Sequence, residues 1–65
     1  MERMIVRVRP RDGEWQIETN GARVKKLPER AEAVARAREL AHMHHGVCLV
    51  EDRDNRRLER DDYGD

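Results

Sequence analysis

The sequence has no phenylalanine, and Trp15 and Tyr63 are its only aromatic residues. A core must therefore be assembled from aliphatic side chains around a single indole. With 65 residues and 37% apolar composition, it sits near the lower limit at which one core suffices. Cys48 is the only cysteine, which excludes an internal disulfide framework and fits a reducing compartment. No apolar run approaches membrane-spanning length, and the opening MERMIVRVRP lacks the long apolar stretch of a signal peptide. The expectation is a cytoplasmic protein with no membrane partner. There is no glycine-rich phosphate loop and no Ser/His/Asp set, so the chain does not read as an enzyme, and nothing in it asks for a cofactor. Net charge is absent too, with 14 basic and 14 acidic residues.

Charged residues are nonetheless abundant, at 43%. That fraction alone would suggest disorder, but the apolar residues fall in periodic segments and the charges cancel, which favours a folded domain. The cancellation hides an asymmetry. Residues 1–26 hold seven Arg and Lys against four Asp and Glu, a balance of +3; residues 27–65 hold seven against ten, a balance of −3. Such halves attract each other within one molecule or between two.

Met4, Val6 and Val8 alternate with Arg3, Arg7 and Arg9, the pattern of a half-buried strand, with Ile5 the apolar exception among the arginines. Pro10-Arg11-Asp12-Gly13 reads as a four-residue turn. Trp15 and Ile17 then form the apolar side of a second strand, and the four-residue turn sets Val8 opposite Trp15 and Val6 opposite Ile17. Asn20-Gly21 suits a two-residue turn with both residues at positive φ. It leads to a third strand that places Val24 opposite Ile17, Arg23 opposite Glu18 and Lys25 opposite Gln16. Parity tucks Trp15 into the core, with the stem of Lys26 laid over it, rather than offering it as a stacking platform for bases.

Residues 28–45 read as a helix that begins near Pro28 and ends at Gly46. Ala33, Val34, Ala37, Leu40, Ala41 and His44 form its inner stripe, and the alanines let it lie close to a sheet. Val47-Cys48-Leu49-Val50 is the most apolar run. A tight turn at Asp54-Asn55 and a polar strand over 56–60 follow, with residues 61–65 as a frayed acidic tail from which Tyr63 folds back. The fold class is α+β: one β-β-β-α-β-β domain over 1–65, with the helix across one face of a mostly antiparallel sheet. The polar third and fifth strands are edges, blunted by Lys25-Lys26 and Arg56-Arg57, which gives the order 3-2-1-4-5.

Several landmarks carry a resemblance along nearly the whole chain. They are Gly13-Glu14-Trp15-Gln16-Ile17, Ala33…Ala37…Leu40-Ala41, Val50…Arg53-Asp54-Asn55-Arg56 with Leu58, and Tyr63-Gly64. In order and spacing they resemble a family of small bacterial and phage proteins known as domain of unknown function 2188. Glu14, Leu27-Pro28 and Asn55 depart from that family's pattern. The resemblance implies a single small α+β domain and brings no activity, cofactor or functional residue with it.

Function must then be sought on the surface. His42, His44, His45 and Cys48 invite a metal, but their spacing matches no standard zinc pattern and imidazoles suit a helix C-terminus without one. Ile5, Cys48 and Val50 are expected together on the open side of the sheet, as an apolar island ringed by Arg and Glu. That arrangement resembles an interface core with a polar rim, set against simple shielding by long Arg side chains or by Tyr63. The first function expected is a non-enzymatic interaction module, a homodimer or a partner to another protein, joined through that face or an edge strand. The alternative is weak nucleic-acid binding by Arg7, Arg9, Arg11, Arg23, Lys25 and Lys26. Glu14 and Glu18, interleaved among these cations, favour a solvated sheet face over a phosphate-binding one.

Overall fold

The computed structural model describes residues 3–51 and 58–64. Three strands, β1 (Ile5–Arg11), β2 (Glu14–Thr19) and β3 (Ala22–Leu27), precede a helix, α1 (Arg30–Met43). Two more strands follow, β4 (Val47–Glu51) and β5 (Leu58–Asp62). They form one sheet in the order β3-β2-β1-β4-β5, antiparallel throughout except where β4 runs parallel to β1. Class, element order and strand order are those expected. The Asp54-Asn55 turn and the Arg56-Arg57 edge lie outside the described residues.

The first N-terminal hairpin keeps the expected parity but not the expected register, and the second keeps both only as far as a bulge in β3. Asp12 and Gly13 have φ of 52° and 80°, so the first turn has two residues rather than four. Pro10 and Arg11 remain in β1, and the pairing moves by two: Val8 faces Ile17, Pro10 faces Trp15 and Val6 faces Thr19. A shift of two preserves every side chain's face. Asn20 and Gly21 adopt the expected left-handed geometry, φ 48° and 89°, and Asn20 caps the start of β1 by accepting the Ile5 amide at 3.0 Å. Glu18 does meet Arg23. Beyond them a bulge extrudes Val24, which is 55% exposed, and places Lys25, not Val24, opposite Ile17. Lys26 then falls opposite Gln16 and Leu27 opposite Trp15. Among the described residues Arg30 lies over the indole, 5.8 Å from the ring centroid, while Lys26 stands opposite Gln16 on the other side of the sheet.

The helix starts two residues later than expected. Glu29 occupies the N-cap position in an extended conformation without a side-chain cap bond. Ala33, Val34, Ala37 and Ala41 are buried and Leu40 partly so, against Val6, Val8, Trp15, Ile17, Cys48 and Val50. His44 is exposed, because the helix has already ended there.

Termination is divided between two residues. His45, at φ 52°, takes the left-handed position, its amide donating to the His42 carbonyl at 3.3 Å while the Gly46 amide reaches Ala41 at 2.7 Å. This is the Schellman arrangement, with histidine where glycine is usual. Gly46 is needed for a different reason: a Cβ there would overlap the Met4 carbonyl, which accepts the Val47 amide at 2.9 Å. Two substitutions at adjacent positions should therefore have opposite signs. His45→Gly is expected to stabilise by about 0.5–1 kcal/mol by removing left-handed strain. Gly46→Ala is expected to destabilise by about 1–3 kcal/mol by forcing β1 and β4 apart. Urea titrations followed by far-ultraviolet circular dichroism check both.

Residues 61 and 62 are no tail. Asp61 and Asp62 pair with Cys48 and Val47 in β5, and the Tyr63 amide donates to the Gly46 carbonyl at 2.9 Å. Tyr63 does fold back, onto the core's rim and edge-on to His42 with ring centroids 5.3 Å apart.

Candidate interaction face

The helix covers one side of the sheet, and among the described residues the other side carries no second layer. Pairing and parity fix what lies on that open side. One cross-strand row runs Arg23, Glu18, Arg7, Leu49 and Arg60; the next runs Lys26, Gln16, Arg9, Glu51 and Leu58. Ile5 and Val47 stand side by side at the end of β1 and β4, next to Leu49.

The expected island of Ile5, Cys48 and Val50 does not form. Ile5 is on the open side and 45% exposed, but Cys48 and Val50 are 0% and 1% exposed and packed in the core. The parallel register pairs Val6 with Cys48 and Val8 with Val50, which turns those two inward and puts Val47 and Leu49 on the open side, where Leu49 is half-buried and Val47 only 7% exposed. Four consecutive apolar residues carry no alternation, so the phase of β4 is set by the close approach of Gly46 to Met4 instead. Val47 and Leu49 replace Cys48 and Val50 as Ile5's apolar neighbours. Leu58 shares their side but sits at the far edge, 53% exposed.

The polar part of the face is extensively paired. Glu51 meets both Arg7 at 3.5 Å and Arg9 at 3.3 Å, while Glu18 takes Arg9 at 3.8 Å and the Gln16 amide. Gln16 is only 6% exposed beneath these longer side chains. Asp62 joins Arg3, and also Arg60 at 3.4 Å. The Arg3 guanidinium, helped by the Gly64 amide, holds the Asp62 carboxyl down at about 2, so this pair stays charged at any ordinary pH. Of the six cations considered for nucleic acid, Arg7, Arg9 and Lys26 have carboxylate partners, Lys26 through Asp12 at 3.9 Å. Arg11, Arg23 and Lys25 have none among the described residues. Lys25 lies on the helix side of its strand, so the six do not form one surface.

Burial pushes the Cys48 thiol up, with the Asp61 carboxylate adding to the effect, which keeps it protonated and inert. Among the described residues no three His, Cys, Asp or Glu side chains converge as metal ligands would. A depression of about 400 Å³ between the Pro10–Glu14 turn and Glu51 is open and lined by charges of both signs. No helix among the described residues is long and apolar enough to cross a membrane.

Glu51 and Leu49 were not singled out in the sequence. Glu51 meets its arginines through a parallel strand pair forty residues removed, and no local pattern signals that. No curated protein and no solved structure matches the chain. Residues 6–63 match the family described as an uncharacterized protein conserved in bacteria, DUF2188, and the chain belongs to that family.

Proposed function

We propose that the protein is a non-enzymatic interaction module that self-associates through the open side of its sheet. The observation that carries this is the apolar corner where exposed Ile5 and half-buried Leu49 lie over buried Val47, beside charges of alternating sign, on a face with no second layer among the described residues. A surface with both signs in alternation can meet a rotated copy of itself with unlike charges opposed, as a two-fold dimer requires. A phosphate backbone, by contrast, would have to displace Glu51 and Glu18 from Arg7 and Arg9. Nucleic acid is the second reading for that reason.

Size sets the strength. Five strands about 4.8 Å apart and about 20 Å long present roughly 400–500 Å² per copy in projection, short of the ~800 Å² of a standard interface. The dimer should therefore be weak, with a dissociation constant on the order of 10–100 µM. Sedimentation equilibrium from 10 to 500 µM is expected to show the average mass rising toward that of a dimer. Ile5→Glu is expected to keep the fold and return the mass to that of a monomer. A wild-type chain that stays monomeric at 500 µM defeats the proposal. Duplex DNA binding that weakens steeply with salt would put the alternative in its place.

A further inference from the structure

A different surface stands out once the ion pairs are traced. At the β5 edge every described carboxylate is engaged: Glu59 by Arg30 at 2.8 Å, Asp61 by Arg38 at 3.0 Å, and Asp62 by Arg3. At the opposite edge the balance is reversed. Among the described residues Arg23 and Lys25 on β3 have no carboxylate partner, and Lys26 has only Asp12, at 3.9 Å and itself exposed. Uncompensated positive charge is thus concentrated along the one strand whose outer ladder of backbone donors and acceptors faces solvent at that end of the sheet.

We propose that β3 is the docking strand for an extended acidic segment of a protein partner, which adds to it as a sixth strand. Strand addition takes its affinity from the backbone ladder and its selectivity from alternate side chains. Arg23 and Lys26 project to the open side and Lys25 to the helix side, so carboxylates on both faces of an incoming strand find a cation. Val24, extruded between Arg23 and Lys25, adds an exposed apolar contact. The same features reject a second copy of β3. Its cations would oppose their own kind. The chain's own acidic strand is no competitor, because the β5 carboxylates are already paired within the molecule. The occupant is therefore another protein.

The test uses the intact chain, labelled with nitrogen-15, and three probes at 50 mM salt: a blocked hexapeptide EVEEVE, its neutral counterpart TVTTVT, and a 12-base-pair duplex. Addition of the acidic peptide is expected to shift the amides of Ala22 to Leu27 and slow their exchange, with the neutral peptide binding at least tenfold more weakly. The Arg23→Ala/Lys25→Ala double variant, altered only at exposed positions, should lose at least tenfold in affinity for the acidic peptide while keeping its spectrum elsewhere. Ile5→Glu should leave peptide binding unchanged, which separates this edge from the open face. Shifts absent from β3, equal binding of the two peptides, or an unaffected double variant each overturn the proposal. So does a duplex that shifts the same amides more strongly than the acidic peptide, which would assign the edge to nucleic acid.

Discussion

Trp15→Ala is expected to leave the chain unfolded at 25 °C. Trp15 is 4% exposed and is the one large ring in a core otherwise made of Val6, Val8, Ile17, Val34, Cys48, Val50 and three helix alanines. Removing a buried Trp side chain typically costs about 3–5 kcal/mol, and a single core below about 70–80 residues rarely supplies more than that in total. The usual relief is for neighbours to collapse into the space. Here the helix already lies against the sheet through Ala33, Ala37 and Ala41, which have nothing to extend into a void. The ring also carries Arg30 over its face, worth about 0.5–1 kcal/mol at a partly exposed site. Trp15→Phe fills most of the volume and should stay folded with reduced stability. Amide dispersion in proton–nitrogen spectra distinguishes the outcomes; a well-dispersed Trp15→Ala spectrum at 25 °C would mean that the indole is not the core's anchor.

What the sequence disclosed about this fold follows the range of its signals. Period-2 alternation in Met4–Arg9 and Glu14–Glu18 reports which side each residue occupies, and the structure agrees. Turn chemistry reports register less well. Pro10 draws attention to an early turn, whereas the chain reverses at Asp12-Gly13, where positive φ is available to both residues. The Val24 bulge has no local signature, since Arg-Val-Lys-Lys alternates acceptably without one. The phase of β4 was hidden for a plainer reason: Val47 to Val50 are all apolar, so either set could face inward. The non-local contact that decides it, Gly46 against Met4, joins residues more than forty positions apart. That one ambiguity exchanged Cys48 and Val50 for Val47 and Leu49 in the candidate site, and hid Glu51 as the partner of Arg7 and Arg9. Local pattern identified the two faces; a single backbone contact assigned β4 to them.

Val50→Glu tests that assignment directly and should abolish folding at pH 7. Val50 is 1% exposed, opposite Val8 in the parallel pair and within the core. A carboxylate there would sit among the aliphatic side chains of the core, and an unpaired buried charge costs several kcal/mol, comparable to the whole stability of so small a domain. Burial raises a glutamate's folded pKa, and values near 8–9 are documented for fully buried cases. The sign of the pH dependence follows. Below the unfolded value of about 4.3 the residue is neutral in both states, and the penalty is that of a buried polar group alone. As pH rises toward the folded value the penalty grows by about 1.36 kcal/mol per unit. Val50→Glu should thus recover structure near pH 4, where Asp62, held at about 2, keeps its pair with Arg3. Ile5→Glu is the control. At 45% exposure and beside Arg7, it should change monomer stability by no more than about 0.5 kcal/mol at 5 µM, below the expected dimerisation range. Circular dichroism of both variants at pH 4 and pH 7 reads the contrast. If Val50→Glu were as stable as Ile5→Glu at pH 7, β4 would present Cys48 and Val50 to solvent, and the apolar corner assigned to the open face would belong to the core.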